Sequence, residues 1–168
     1  MDFKYCNVCG TKAEIREVGD EGEMPFCPTC DKPLFPYFNT CILSLVVDED
    51  GKFALIRQYN LPPNFYIGVA GYMKLGESLE EGTAREVEEE IGLPILGVRY
   101  VKSYPLAPRD QLMAGFVTYV KHEDFHLSGE VDEAKWFDEA EAAAVLFKGS
   151  IIEMLYLDFI ADRQRYAL

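Results

Sequence analysis

GYMKLGESLEEGTAREVEEEIGL, residues 71–93, is the stretch whose reading decides the fold. It opens as a loop bracketed by Gly71 and Gly76 and turns into a helix at Ser78. Ser78-Leu79-Glu80-Glu81 reads as a capping box, in which the serine oxygen and the glutamate each satisfy one orphan N–H of the first turn. Gly92, followed by Leu93-Pro94, supplies the C-terminal stop. Ala84, Val87 and Ile91 recur at i, i+3 and i+7 and are expected to pack on a sheet. Glu86, Glu89 and Glu90 gather on another side of the same helix. Arg85 is expected to point away from these three carboxylates. Gly82, one turn earlier, is expected to leave open space above the backbone at a cost of about 1 kcal/mol in helix propensity.

Like charges at that spacing destabilise a helix by about 0.2–0.5 kcal/mol per pair. One reading is a solvated acidic face. The other is a site for a hard divalent cation, Mg²⁺ or Mn²⁺, which a few carboxylates hold together with substrate phosphates. Glu77, at the junction of loop and helix, can turn toward the same space.

Gly71, Glu77, Arg85, Glu86, Val87, Glu89, Glu90, Gly92 and Leu93 fill every fixed position of the pattern G-x5-E-x7-R-E-U-x-E-E-x-G-U, where U is a bulky aliphatic residue. In this the chain resembles the Nudix hydrolases. The resemblance implies an α/β fold, an α/β/α sandwich with a mixed sheet, and hydrolysis of a diphosphate joined to a nucleoside or similar group. It also implies Mg²⁺ or Mn²⁺ held chiefly by Glu86, Glu89 and Glu90 with Glu77 assisting, and Arg85 orienting a catalytic glutamate through an ion pair.

Outward from this stretch, the N-terminal segment carries a second pattern. Cys6, Cys9, Cys27 and Cys30 give C-x2-C-x17-C-x2-C, the spacing of a closed four-thiolate zinc site. Two disulfides are the alternative. An x-x spacing closes a strained ring, however, and MDFKYCNVCG has no apolar signal region, so a reducing, cytoplasmic setting is expected. Four thiolates leave no position open for water, so the zinc is expected to be structural. Thr11 to Phe26 reads as a ribbon hairpin. The division expected is a zinc ribbon over residues 1–34 and a hydrolase domain over 35–168.

The rest of the chain fits one ordinary domain. Cys41 to Val47, a turn at Asp48 to Gly51 and Phe53 to Arg57 read as a hairpin. Phe65 to Ala70, Ile95 to Tyr104, Leu112 to Val120 and Ala134 to Phe137 read as further strands, and Cys41 as a core residue. Asp138 caps a helix running to about Phe147, and Ser150-Ile151-Ile152-Glu153 opens a terminal helix by a second capping box. The aromatics Phe35, Tyr37, Phe38, Tyr59, Phe65, Tyr66, Tyr72 and Tyr104 cluster at strand ends. Core packing is the ordinary fate of such residues, but Tyr72 follows the loop glycine and is placed to stack on a planar base. The sequence has 168 residues, 49 % of them apolar, with a net charge of −13. It lacks the ~18 unbroken apolar residues of a membrane helix. The charge argues against a broad phosphate-backbone surface, so no nucleic acid is expected beyond a capped RNA end.

A four-cysteine ribbon joined to this box is similar in layout to the NADH pyrophosphatase branch of the family. Phe35-Pro36 matches its Tyr-Pro, Gly71-Tyr72 its Gly-Phe, and Glu130 to Phe137 its E-x-x-E-A-x-W-[FY]. The resemblance therefore implies Tyr72 and Phe35 as substrate contacts and Glu133 as a further metal-binding or catalytic group. The branch motif S-Q-P-W-P-F-P-x-S-L-M stands here as Ser103 to Met113, with Gln, Trp and Phe replaced; Ser103 is retained as a substrate contact. Glu153 and Met154 occupy the positions of the branch's arginines. The resemblance implies NAD(H), or a related ADP-containing compound such as ADP-ribose, as substrate and a second copy of the chain as partner. A nucleotide sugar, a dinucleoside polyphosphate and a sensing module without turnover are the alternatives. Glu89 or Glu133 is expected to be the general base.

Overall fold

The computed structural model describes residues 3–59 and 61–168. Met1 and Asp2, the first two residues of the expected ribbon, lie outside the described residues. By compactness the chain forms two units, Met1–Phe38 and Asn39–Leu168.

In the first unit, β1 (Glu14–Glu17) pairs antiparallel with β2 (Glu23–Cys27), and β2 with β3 (Lys32–Pro33). The hairpin is the expected ribbon. Its core is small: Cys6, Cys27 and Leu34 form one cluster, and Met24 and Phe26 are the other buried apolar residues.

The second unit has one mixed sheet, in the order β7-β8-β4-β5-β9 with β6 also on β4. The strands are β4 (Asn39–Val47), β5 (Phe53–Gln58), β6 (Val69–Tyr72), β7 (Ile95–Leu106), β8 (Gln111–Val120) and β9 (Val131–Phe137). Only β4 and β8 run parallel; the other pairs are antiparallel. β4 reads as an unbroken apolar run because both its faces are covered. Cys41, Leu43, Leu45 and Val47 face α2 (Glu139–Val145) and α3 (Ile151–Ala161), while Val46 joins Val69 and the Val87 and Ile91 side chains of α1 (Leu79–Ile91). Ser44, buried within this run, bonds Thr118 at 2.7 Å, so its hydroxyl is satisfied. The result is the expected α/β/α sandwich.

Several local expectations change. The third strand is Val69–Tyr72, later than Phe65 to Ala70, because Tyr66 and Ile67 pair first with Leu146 and Ile56 before the chain reaches β4. The helix after Asp138 stops at Val145, since Leu146 leaves it to bridge Tyr66. At α3 the Ser150 hydroxyl accepts from Glu153 N–H, but the Glu153 carboxylate turns to Gly149 N–H and Lys148, so the box is half formed. Phe35, Tyr37, Phe38 and Tyr59 are exposed rather than core. Tyr66 and Tyr104 are buried, with hydroxyls given to Glu133 and Asp158.

Candidate functional site

The capping box at Ser78 forms as read, and Gly92 takes the left-handed conformation that ends α1. The helix therefore starts and stops where its carboxylates need it. Gly71 on β6 lies directly against α1. A Cβ there would sit 2.0 Å from the Glu86 carboxyl carbon, so only glycine lets this side chain lie on the strand. Gly82 does not leave open space. The Met73 thioether fills it, with sulfur 2.7 Å from where a Cβ would be.

Arg85 does not point away from the glutamates, as the bare helical wheel predicts. Its guanidinium curls over the helix because a fork of donors meets a ring of acceptors. Nε and Nη2 hold both Glu77 oxygens, at 2.9 and 2.7 Å, and Nη1 reaches Glu86 at 2.6 Å and Glu89 at 3.1 Å. Such bidentate, charge-assisted contacts at half-buried groups are strong and directional. Glu77 also accepts from Lys74 N–H, and Arg85 and Lys74 together hold its carboxyl down at about 2. Glu77 is thus spent on Arg85 and on closing the loop, and Arg85 on fixing Glu86.

Glu90 is different. It is only 6 % exposed, and its Oε2 is buried without a partner among the described residues. Burial, then the nearby charges of Glu86 and Glu130, push its carboxyl up to about 8. The donor set around it, all carboxylate oxygen, suits a hard divalent ion. Glu130 is the acidic residue of the 130–137 segment that faces Glu90. Ser128 N–H donates to the Glu90 carbonyl at 3.0 Å, which fastens its loop to the helix end. Glu133, the other acidic residue named from the sequence, lies on β9 in a cluster with Arg57, Lys135 and Tyr66.

These groups line a cavity of about 920 Å³ in the second unit. Glu86, Glu89, Glu90 and Glu130 contribute to one part of the wall, and Tyr72, Met113 and Cys41 to another. Tyr72 is 59 % exposed, with its hydroxyl accepting from Gln111 Nε2 at 2.8 Å. Ser103 is exposed on β7 and is not among the lining residues, nor is Glu133. Phe35 belongs to the first unit and is 52 % exposed.

In the first unit the sulfurs of Cys6, Cys9, Cys27 and Cys30 all lie within 4.8 Å of one another. All four are free thiols, with Cys6 to Cys30 at 3.9 Å and Cys9 to Cys27 at 3.5 Å, near the roughly 3.8 Å expected between sulfurs on one tetrahedral zinc. Val8 N–H and Cys30 N–H point at the Cys6 and Cys27 sulfurs. The Thr11 hydroxyl lowers Cys9 to about 6, while the crowding sulfurs, Cys9 first, raise Cys30 to about 12. Four thiols so opposed fit one Zn²⁺, which would take all four as thiolates. Replacing Cys9 with Ser should abolish stoichiometric zinc by elemental analysis and open the ribbon to amide exchange. Cys41→Ser should retain the zinc, because Cys41 is buried in the sheet of the other unit.

The NUDIX domain model matches residues 38–155. The chain is 32 % identical over 158 residues to a protein of Photobacterium profundum named NAD-capped RNA hydrolase NudC, covering 94 % of this chain and 58 % of that one. It is 29 % identical to human NAD-capped RNA hydrolase NUDT12, covering 88 % of this chain and 33 % of the relative. It thus spans between a third and three-fifths of these relatives' length. Among solved structures, a NUDIX hydrolase from Nitrosomonas europaea shares the fold at TM-score 0.71 and 24 % identity, over 96 % of this chain and 93 % of that one.

Proposed function

The chain belongs to the NUDIX domain family, and we propose that it is a metal-dependent hydrolase that splits the diphosphate of NAD(H) or a related ADP-containing compound such as ADP-ribose. The observation that carries this is the buried, partnerless Oε2 of Glu90 beside Glu86, Glu89 and Glu130 in a cavity large enough for a nucleotide. The relatives' names, which concern NAD-capped RNA, support the NAD part of the reading.

Glu86, Glu89, Glu90 and Glu130 would hold Mg²⁺ or Mn²⁺, whose chemistry there is neutralisation of the diphosphate oxygens and acidification of a bound water. Arg85, tied to Glu77, keeps Glu86 in place against Gly71. Glu89 is the proposed general base: it is 53 % exposed at the cavity, and its contact with Lys74 is an exposed ion pair of small worth. A substrate phosphate competes for Lys74 and frees Glu89 Oε1, while Arg85 keeps Oε2, to take the proton of the attacking water. Glu133, bound to Arg57 and Lys135, positions the β5–β9 edge instead. Tyr72 offers its ring to the adenine, with Cys41 and Met113 sulfurs as a soft apolar floor.

The functional division is proposed at residues 1–34 for a zinc ribbon and 35–168 for the hydrolase. Thiolate ligation suits a reducing compartment, so a cytoplasmic site is proposed, together with a homodimer. No helix among the described residues is long and apolar enough to cross a membrane. A panel of NADH, NAD⁺, ADP-ribose, a nucleotide sugar and a dinucleoside polyphosphate, with Mg²⁺ or Mn²⁺ and product analysis, tests the reading. Turnover should be highest on the ADP-containing substrates. Tyr72→Ala should weaken all of these together, by about 1–3 kcal/mol of stacking. Binding without turnover of any substrate would show a sensing module, and turnover indifferent to the base would remove the case for adenine.

A further inference from the structure

Arg109 is a cation of the cavity that the site just described leaves unused. It closes the 3-10 turn Ala107–Arg109 between β7 and β8 and lines the cavity. It makes no hydrogen bond or ion pair with any described residue. The other two cations of the wall are engaged, Arg85 by Glu77, Glu86 and Glu89, and Lys74 by Glu89. Of the three cations that line the cavity, Arg109 is thus the one without a carboxylate partner among the described residues. Arg109 also falls within Ser103 to Met113, where this chain departs from the pattern it otherwise resembles.

Its place in the sheet separates it from the carboxylates. Gly71, which makes room for Glu86, pairs with Ile42 of β4; Gln111, two residues past Arg109, pairs with Asn39 on the other side of β4. Two strand spacings across and three residues along put those positions roughly 14 Å apart. A diphosphate held at the carboxylates fills that end of the cavity. Tyr72, bonded through its hydroxyl to Gln111, marks the nucleoside end, and Arg109 lies on that side. A neutral ribose there would leave the guanidinium without an anion.

We propose that Arg109 reads a second phosphate, an ester on the ribose of the nucleoside held against Tyr72, and so selects ribose-phosphorylated nucleotides over their unphosphorylated counterparts. This rests on the proposed function for the placement of the nucleoside. A guanidinium fork matches phosphate oxygens two at a time, which is how an arginine near a ribose accommodates a 2′-phosphate. The ester has two sources: a monoester at the 2′ or 3′ oxygen, or a 3′ phosphodiester leading to a following nucleotide.

Calorimetry on the full chain with Mg²⁺ decides, using AMP, adenosine 2′,5′-bisphosphate, adenosine 3′,5′-bisphosphate and the dinucleotide pApU. At least one of the three ribose-phosphorylated ligands should bind about tenfold or more tightly than AMP, the scale of one charge-assisted hydrogen bond. Which one does so identifies monoester or diester. Arg109→Ala should weaken that ligand about tenfold more than it weakens AMP, and Arg109→Lys should keep part of the preference. The proposal is overturned if no phosphorylated ligand outbinds AMP, or if Arg109→Ala weakens AMP as much as the others. None of these ligands contains a diphosphate, so the result stands apart from turnover. Inactivity on the substrate panel with the preference intact would sink the hydrolase reading and leave Arg109 its role.

Discussion

Glu86→Gln and Glu90→Gln should each abolish most hydrolysis, and Glu90→Gln should do so with the fold's stability intact. Both substitutions keep side-chain length and helix propensity and relieve repulsion along α1, but Glu86→Gln also discharges the 2.6 Å ion pair with Arg85 and should melt lower. Glu86 is the carboxylate that Arg85 and Gly71 hold in place, and Glu90 is the one with a buried oxygen that has no partner among the described residues. On the proposed function, removing either charge would strip a ligand from a cation that supplies several kcal/mol of transition-state stabilisation, so kcat should fall by about 10³-fold or more. Glu77→Gln breaks a half-buried, bidentate pair with Arg85, and truncating such a pair costs about 3–5 kcal/mol, so this variant should lose thermal stability as well as rate. The measurements are single-turnover kinetics with saturating Mg²⁺ and a thermal melt for each variant. Parental rates in both glutamine variants of Glu86 and Glu90 would place the cation elsewhere.

The parts of this molecule that were legible in the sequence are those set by local rules. The caps of α1, the hairpin at Asp48 to Gly51, the apolar run of β4 and the cysteine spacing each follow from hydrogen bonding or periodicity within a few residues. What was not legible depends on which strand lies next to which. The direction of Arg85 is decided by Glu77 on the preceding loop, eight residues away, and a helical wheel cannot place that loop. The late start of β6 follows from Tyr66 and Ile67 being claimed first by Leu146 and Ile56. Gly82 looked like open space because Met73, which fills it, is brought there by the β6–β4 pairing that carries its N–H to Thr40. Glu130 and Glu133 could not be told apart until β9 was registered on β5, which sets Glu133 opposite Arg57. The motif showed that carboxylates gather; the register decided which of them meet.

Without Mg²⁺ or Mn²⁺, Glu90 should cost the protein stability as pH rises from about 5 to 8. Its carboxyl is pushed up to about 8 from the model-peptide value of 4.5, chiefly by burial and then by Glu86 and Glu130. Between those values the folded chain keeps a proton that the unfolded chain has released. Stability then falls with pH, by up to about 1.4 kcal/mol for each unit in the window. The contribution is fully present below 4.5 and gone once pH passes 8. Glu77, Glu81, Glu89, Glu133 and Glu153 are shifted downward, so their effects have the opposite sign and fall below this window; Cys9, lowered to about 6 where no zinc is bound, opposes Glu90 within it. For a chain of this length each kcal/mol moves Tm by about 2–4 °C. The readout is the difference between wild type and Glu90→Gln, in which every other titrating group cancels. That difference should grow in favour of the glutamine variant from pH 5 to pH 8 without divalent cation. Adding Mg²⁺ or Mn²⁺ should reverse it, because a bound cation takes Glu90 as the carboxylate and releases its proton. The cation should accordingly stabilise wild type more at pH 8 than at pH 5, and Glu90→Gln little at either. Parallel melting profiles for the two proteins across the window, with and without cation, would mean that Glu90 is neither protonated in the fold nor a ligand.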